Sequence, residues 1–399
     1  MHAFTYCVPT EIIFGTGSTD RLPELLQKRG VSRVLVVYGG SSAKKSGLLD
    51  RVLLLLDEAG IRCRTLGGVQ PNPRVALARE GVQLALESGA ELILAVGGGS
   101  VIDTCKAIAH GAANPDTDIW EFWKRRVPLT KSMPVGVILT IPAAGSETSD
   151  SAVLTNAQAG EKRGLNTPLN RPAFAILDPS LAATLPAHQV ACGVSDILMH
   201  TLDRYFNPIT DNALTDALAE ALLRVVIANG PAAVQDAHNE AAMSEIMWAG
   251  SLSHNGLTGL GGNKDFATHQ LGHALSEKFD VYHGDSLTAV WSSWARYVMD
   301  ADAARFARFA RNVWDVAASD DRSAALAGIQ KQEDFFRSIG MPVRLCELPC
   351  GTQDEAGLSD LASRCSFGKT RAIGTFRTLD CADMLAIYRM ANEKAGAAQ

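Results

Sequence analysis

Two pairs of potential metal ligands stand at helical spacing, Asp196 with His200 in GVSDILMHTLDRY and His269 with His273 in DFATHQLGHALSEK, and His283 follows in VYHGD. Residues four apart on a helix share a face, with Cβ atoms about 6 Å apart, so each pair can aim two donors at one ion. Imidazoles combined with a carboxylate suit a borderline divalent ion such as Zn²⁺ or Fe²⁺ better than Ca²⁺ or Mg²⁺. The chain has nine histidines, and three of them fall between positions 269 and 283, a concentration that scattered packing roles do not explain. Gln270, Leu271 and Gly272 separate His269 from His273, so the glutamate base of an H-E-x-x-H metalloprotease is missing.

A second chemical signal lies nearer the N-terminus. In ELILAVGGGSVIDTCKAIA an apolar strand runs into Gly97, Gly98, Gly99 and Ser100, and a helical pattern begins near Val101. Glycines allow close backbone approach, and a helix N-terminus presents unpaired N–H groups and partial positive charge, which together suit a pyrophosphate. The spacing departs from the G-x-G-x-x-G of the usual dinucleotide turn. Asp103, on the first turns of that helix, either contacts the cofactor or complements the helix dipole. An earlier strand, RVLVVYGGSSAKKSG, ends in Gly39, Gly40, Ser41 and Ser42, followed by Lys44 and Lys45. A carboxylate at such a turn holds the ribose hydroxyls of NAD, whereas a neutral or basic turn leaves room for a 2′-phosphate, so Gly39 and Ser41 point to NADP(H) over NAD(H).

These residues need a scaffold, and the pattern changes near residue 186. Before it, apolar runs such as VSRVLVVYGG, IRCRTLGGV, ELILAVGGGS and MPVGVILTIP alternate with helical stretches such as GLLDRVLLLLDEAG and RVALAREGVQLALESG. That alternation predicts a parallel sheet with helices on both faces. Beyond LDPSLAATLPAHQV, Ala-rich stretches with helical periodicity follow, such as DNALTDALAEALLRVVIANG and DAARFARFARNVWDVAA. The expected fold is α/β, with a dinucleotide-binding domain over 1–185 and an all-α metal-binding domain over 186–399.

At 399 residues and 47% hydrophobic, the chain is long enough for two such cores. A net charge of −6 argues against nucleic acid as the partner. The start, MHAFTYCVPTEIIFG, lacks a basic and then apolar leader, and no uninterrupted apolar run of about 18 residues occurs. A soluble, cytoplasmic protein without a membrane partner is expected. Eight dispersed cysteines read as reduced, partly buried small hydrophobes; Cys346 and Cys350 are four apart but have no second close pair to complete a zinc site.

Taken together, GGGSVIDTCKAIA, GVSDILMHTLDRY and THQLGHALSEKFDVYHG resemble the corresponding segments of the iron-containing, group III alcohol dehydrogenases, and the similarity runs over most of the chain. The resemblance implies a Rossmann-like parallel-sheet domain and a helical domain of dehydroquinate synthase-like architecture, with cofactor and metal in the cleft between them. It implies Asp196, His200, His269 and His283 as metal ligands, with His273 beside the metal and unbound. By the same likeness Gly98, Gly99 and Ser100 hold the pyrophosphate, Asn72 lies near the adenine or ribose, Thr140 near the cofactor ribose and Lys162 near the nicotinamide ribose. Where many members carry PTTxGTGSE, this chain has the shorter Pro142–Glu147 segment PAAGSE, which resembles the NADPH-dependent aldehyde reductase and butanol dehydrogenase branch.

The implied reaction is hydride transfer between NAD(P)H and a short- or medium-chain alcohol or aldehyde, with one Fe²⁺ or Zn²⁺. His273, an imidazole whose ordinary pKa lies near neutrality, would relay the proton. A homodimer or higher homo-oligomer is expected. Trp120, Phe122, Trp123 and Phe266 are read as walls of an apolar substrate pocket. A dehydroquinate synthase-like lyase or glycerol phosphate dehydrogenase is the alternative, disfavoured because Phe266, Ala267, Thr268 and Gln270 around His269 include no cation for a substrate phosphate. A non-catalytic cofactor-binding protein is the second alternative.

Overall fold

The apolar runs of the N-terminal half form strands in the computed structural model, which describes residues 2–40, 42–209 and 211–393. In chain order the strands are β1 (Glu11–Phe14), β2 (Arg33–Tyr38), β3 (Arg62–Leu66), β4 (Leu92–Gly97), β5 (Val135–Leu139), β6 (Ser151–Asn156), β7 (Glu161–Asn166) and β8 (Phe174–Leu177). Six of them make one parallel sheet in the order β1-β8-β5-β4-β2-β3, the expected doubly covered α/β arrangement. The central strands LILAVG and VGVIL are buried along their whole length, as strands covered on both faces must be. A glycine is required at Gly136 of β5, because a Cβ there would stand 2.4 Å from the Phe174 ring of β8. β6 and β7 form a separate antiparallel hairpin that the strand pattern does not predict.

The order of the strands locates the ligand edge. From β2 the chain moves outward to β3, then crosses back to β4 on the other side of β2. In open α/β sheets such a reversal leaves a crevice at the carboxyl ends of the two strands, where ligands bind. Gly39 follows β2 there and Gly97 closes β4 there, and helix Gly99–Ala113 starts at that edge. Chain contacts group Cys7–Pro186 with Asp236–Asn255. Helix Glu240–His254, within the half read as helical, thus packs with the sheet: Thr148 Oγ1 donates to Ser251 O at 2.9 Å, and His254 Nδ1 lies 2.6 Å from Ala144 O.

The other unit runs over Ala187–Gln235 and from Gly256 onward, with the N-terminal residues up to Tyr6. Among its described residues every element of four or more residues is a helix, including Ala187–Tyr205, Ala213–Gln235, Ala267–Phe279 and His283–Val298. Phe206 centres an aromatic core, stacked on Phe306 at 4.2 Å and edge-on to Trp294 and Phe309. Among the described residues one helix, Ala213–Gln235, is long and apolar enough to cross a membrane by length and composition. Its buried Asp216 accepts two bonds from the Arg305 guanidinium at 2.6 Å, and its Glu220 accepts from Tyr205 at 2.9 Å, the pattern of a helix fixed in a protein core.

Candidate active site

Helix Ala187–Tyr205 carries Asp196 and His200 on one face, helix Ala267–Phe279 carries His269 and His273, and His283 opens helix His283–Val298. Asp196 Oδ1 is the hub of the cluster, 3.4 Å from His200 Nε2, 3.6 Å from His269 Nε2 and 3.8 Å from His283 Nε2. Around a four-coordinate ion with bonds of about 2.1 Å, neighbouring donor atoms stand roughly 3.4 Å apart. Asp196 Oδ1 and His269 Nε2 are buried without a hydrogen-bond partner, an arrangement that costs free energy unless something else satisfies both atoms. The donor set therefore fits one divalent cation. His273 stands aside, half-buried, its ring 6.3 Å from that of His269 and 5.4 Å from that of His283.

Asp203 sits behind His269. Its buried Oδ2 accepts from His269 Nδ1, which leaves Nε2, facing Asp196, as the nitrogen that takes either a second proton or a cation. Burial disfavours a charged His269 ring, but the Asp203 and Asp196 carboxylates outweigh it and hold the imidazole up at about 9. The pocket is thus electrostatically built for positive charge. Phe266 caps the start of the His269 helix, its ring 5.1 Å from His269 and 6.0 Å from His200, with the Arg204 guanidinium 5.0 Å over it. Its φ of +54° is strained for a bulky L-residue. Asp265 fixes the turn by accepting from the N–H groups of Ala267, Thr375 and Phe376 at 2.8–3.0 Å.

At the sheet edge, the structure brings Gly39, Gly97 and Thr140 together around Val101. A Cβ on Gly97 would meet Val101 Cγ2 at 2.5 Å, one on Gly39 would lie 3.8 Å from the same atom, and Thr140 N donates to Gly97 O at 3.2 Å. Gly98 packs so closely on Ile141 that a Cβ would come within 2.9 Å, whereas Gly99 and Ser100 begin the helix. Asn72, at φ +57°, accepts from Lys162 Nζ at 2.9 Å, so these two also meet. Ser41 lies outside the described residues. Lys44 Nζ stands 5.2 Å over the Tyr38 ring at the end of β2.

Asp103 is turned into the protein: Oδ1 accepts from Ser146 Oγ at 2.6 Å and Oδ2 from Val153 N at 2.8 Å, tying the helix after β4 to the β6–β7 hairpin. Buried Lys106, one turn on, donates to Ser146 O and Ser151 O at 2.8 and 2.7 Å, and desolvation lowers its pKa to about 8. These bonds shape the shortened PAAGSE segment. The aromatic expectation needs correction for three residues. Trp120, Phe122 and Trp123 are at most 2% exposed, and Trp123 Nε1 donates to Ala152 O, so they are core of the α/β unit. Sequence reasoning missed Asp203 and Arg204; the only signal for Asp203 was its place three residues past His200, on the same helix face.

Residues 9–179 match the model of the iron-containing alcohol dehydrogenases, and residues 189–392 match the C-terminal model of the Fe-containing alcohol dehydrogenase family. The chain is 36% identical to NADH-dependent butanol dehydrogenase A of Clostridium acetobutylicum over 98% of this chain and 99% of that one. It is also 36% identical to the NADPH-dependent aldehyde reductase YqhD of Escherichia coli, over 87% of this chain and 89% of that one. The crystal structure of NADH-dependent butanol dehydrogenase A from Thermotoga maritima superposes with a TM-score of 0.94 at 30% identity, covering 98% of this chain and 99% of that one. With a donor cluster suited to one divalent ion, a glycine turn at the switch point of the sheet and these matches along its whole length, the chain belongs to the iron-containing alcohol dehydrogenase family and is an NAD(P)H-dependent oxidoreductase of alcohols and aldehydes.

Proposed function

We propose that Asp196, His200, His269 and His283 hold the divalent ion, Fe²⁺ or Zn²⁺, that His273 relays the proton, and that the enzyme interconverts short- or medium-chain alcohols and aldehydes with a preference for NADP(H). The convergence of three imidazole Nε2 atoms within 3.4–3.8 Å of one carboxylate oxygen carries this reading. When bound, the ion supplies Lewis acidity toward the substrate oxygen. Bound NAD(P)H would supply the hydride that the carbonyl carbon needs, and the proton for the oxygen would come from the chain. His273, half-buried beside His283, is placed to hand over that proton and recover it from solvent. Phe266 offers an apolar wall next to His200 and His269 that suits a short hydrocarbon tail.

On the cofactor side, Gly97, Gly98, Gly99 and Ser100 present the start of helix Gly99–Ala113 to the pyrophosphate. Asn72, Lys162 and Thr140 serve the sugars. Asp103 acts by holding Ser146 and the hairpin in place, since both its oxygens are engaged there. The NADP(H) preference rests on the absence of any acid from Gly39 through Lys45 and on the Lys44 ammonium above Tyr38. Relatives named for NADH and for NADPH are both 36% identical to the chain, over 98% and 87% of it respectively, so the proposed preference rests on this turn alone. Elemental analysis and turnover with a small aldehyde test the assignment: His269→Ala and His283→Ala should lose the ion and nearly all activity. His273→Ala should keep the ion and turn over slowly. Full occupancy in His283→Ala would overturn the ligand set.

A further inference from the structure

The helix that carries Asp196 and His200 continues the same row of side chains toward its N-terminus: His188, Cys192, Asp196 and His200 are each four residues apart. The first two of that row do not belong to the catalytic cluster. They meet Asp285, which lies two residues beyond His283 in the first turn of helix His283–Val298. His188 Nε2 is 3.1 Å from Asp285 Oδ2, Cys192 Sγ is 3.7 Å from His188 Nε2, and Cys192 Sγ is 3.8 Å from Asp285 Oδ1. We propose that His188, Cys192 and Asp285 form a second cation site, one helical turn from the catalytic donors, that takes a thiophilic divalent ion such as Zn²⁺.

The distances support this. With Zn–S near 2.3 Å and Zn–N or Zn–O near 2.0–2.1 Å, tetrahedral geometry separates sulfur from nitrogen or oxygen by about 3.5 Å and nitrogen from oxygen by about 3.4 Å. The three donors match within a few tenths of an ångström. A Cys-His-Asp proton relay does not account for them, because such a relay needs the thiol and the carboxylate on opposite ring nitrogens. Here both face His188 Nε2. The thiol is no free nucleophile either, since burial and the Asp285 carboxylate hold it far above its usual pKa.

Backbone packing fixes the meeting point. Gly284 crosses Cys192 so closely that a Cβ would lie 2.7 Å from Cys192 Cα and 2.8 Å from Cys192 O, which presses Asp285 against the thiol. Entry is open on one side: the His188 side chain is 44% exposed while that of Asp285 is 9% exposed. A cavity of about 440 Å³ adjoins both, lined further by Tyr282, Met341, Pro342 and Leu348, so water can complete the fourth position. Binding exchanges a proton for the ion: Cys192 Sγ–H loses its proton to solvent, sulfur, Nε2 and the carboxylate bond to the cation, and nothing is oxidised or reduced. Donor softness separates the two sites. A thiolate favours Zn²⁺ or Cd²⁺ over Fe²⁺, whereas the imidazole and carboxylate set of the catalytic cluster accepts either Fe²⁺ or Zn²⁺.

The test uses the full-length protein loaded with its catalytic ion and titrated with Cd²⁺ in chelator-free buffer. Bound metal per chain is read by elemental analysis and the thiolate-to-metal charge-transfer band by ultraviolet difference absorbance. The wild-type protein should take up an ion beyond the catalytic one and develop the band. Cys192→Ser should lose both the extra ion and the band while still turning over substrate. His188→Ala, at a half-exposed side chain, should weaken the extra binding at least tenfold. His269→Ala should keep the band while losing the catalytic ion, which separates this site from the reading of the catalytic cluster. A wild-type protein that shows neither the extra ion nor the band, or a Cys192→Ser protein that keeps both, overturns the proposal.

Discussion

Asp203→Asn tests whether the carboxylate behind His269 sets the strength of the metal site. Asp203 is fully buried, its Oδ2 accepts from His269 Nδ1, and its backbone O accepts from Asp265 N at 2.8 Å, so the substitution keeps the shape and removes a charge. A hydrogen bond to a charged group contributes about 1.5–3 kcal/mol against about 0.5–1.5 for a neutral one. The loss of about 1–2 kcal/mol in ring basicity and orientation corresponds to roughly a 5- to 30-fold weaker ion, at about 1.4 kcal/mol per factor of ten, within the range typical of carboxylates that orient a ligating histidine. A flipped amide would do worse, because its NH₂ would donate to Nδ1 and force the proton onto Nε2, the atom that faces Asp196. A second consequence reaches Asp265, whose carboxyl is raised to about 6 by burial and then by Asp203; without that charge it ionises more readily. The assay is chelator competition for the bound ion at neutral pH, with cofactor affinity as a control for the fold. An affinity within threefold of wild type would refute the argument and reduce Asp203 to a packing residue.

Two other outcomes follow from the first unit. Gly39→Asp has room, since its Cβ would meet only Val69 O at 3.6 Å and Val101 Cγ2 at 3.8 Å, and a new carboxylate about 4 Å from a 2′-phosphate costs about 1–4 kcal/mol per unit charge; the kcat/KM ratio should move toward NADH by tenfold or more. An unchanged ratio, or a parent enzyme that already prefers NADH, would remove the basis of the NADP(H) assignment. Burial pushes His110 down to about 4, against the opposing bond to Asn170, so between pH 6.5 and 4 the unfolded chain takes up a proton that the native state refuses. Stability present above pH 6.5 should fall by about 3 kcal/mol toward pH 4, and His110→Gln should flatten that part of the urea-unfolding profile; equal slopes in both proteins would refute it.

The sequence carried the donors more clearly than their partners. Spacing of four put Asp196 with His200 and His269 with His273 on helix faces, but which imidazoles converge depends on how helices cross. His269 Nε2 comes to 3.6 Å from Asp196 Oδ1, while the ring of His273, one turn along the same helix, lies 6.3 Å from that of His269. The parallel sheet was legible because buried strands such as LILAVG read as continuous apolar runs. The β6–β7 hairpin was not, because EKRGLN exposes a mostly polar face and turns at Gly160, with no apolar run to mark it. Trp120 and Trp123 were misassigned for the opposite reason: bulk and apolarity identify a buried ring, and only packing against neighbours such as His110 tells a core from a pocket wall.

Cys192 shows the same limit from the other side. As one of eight scattered cysteines without a close partner, it reads as a small core hydrophobe. Its neighbours along the helix are legible as a row, since His188, Cys192, Asp196 and His200 repeat every four residues. The missing donors come from elsewhere in the chain, His269 and His283 for the upper pair and Asp285 for the lower, and a single close crossing supplies His283 and Asp285. Gly284 lies between these two residues and admits no Cβ against the Cys192 backbone. One glycine thus positions a donor on each side of it against the same helix face, so a chain shift at this crossing would disturb both clusters together. The two sets of donors differ only in the thiol and the number of imidazoles. That difference in softness, set on one helix and its crossing partner, is what allows neighbouring sites to select different ions.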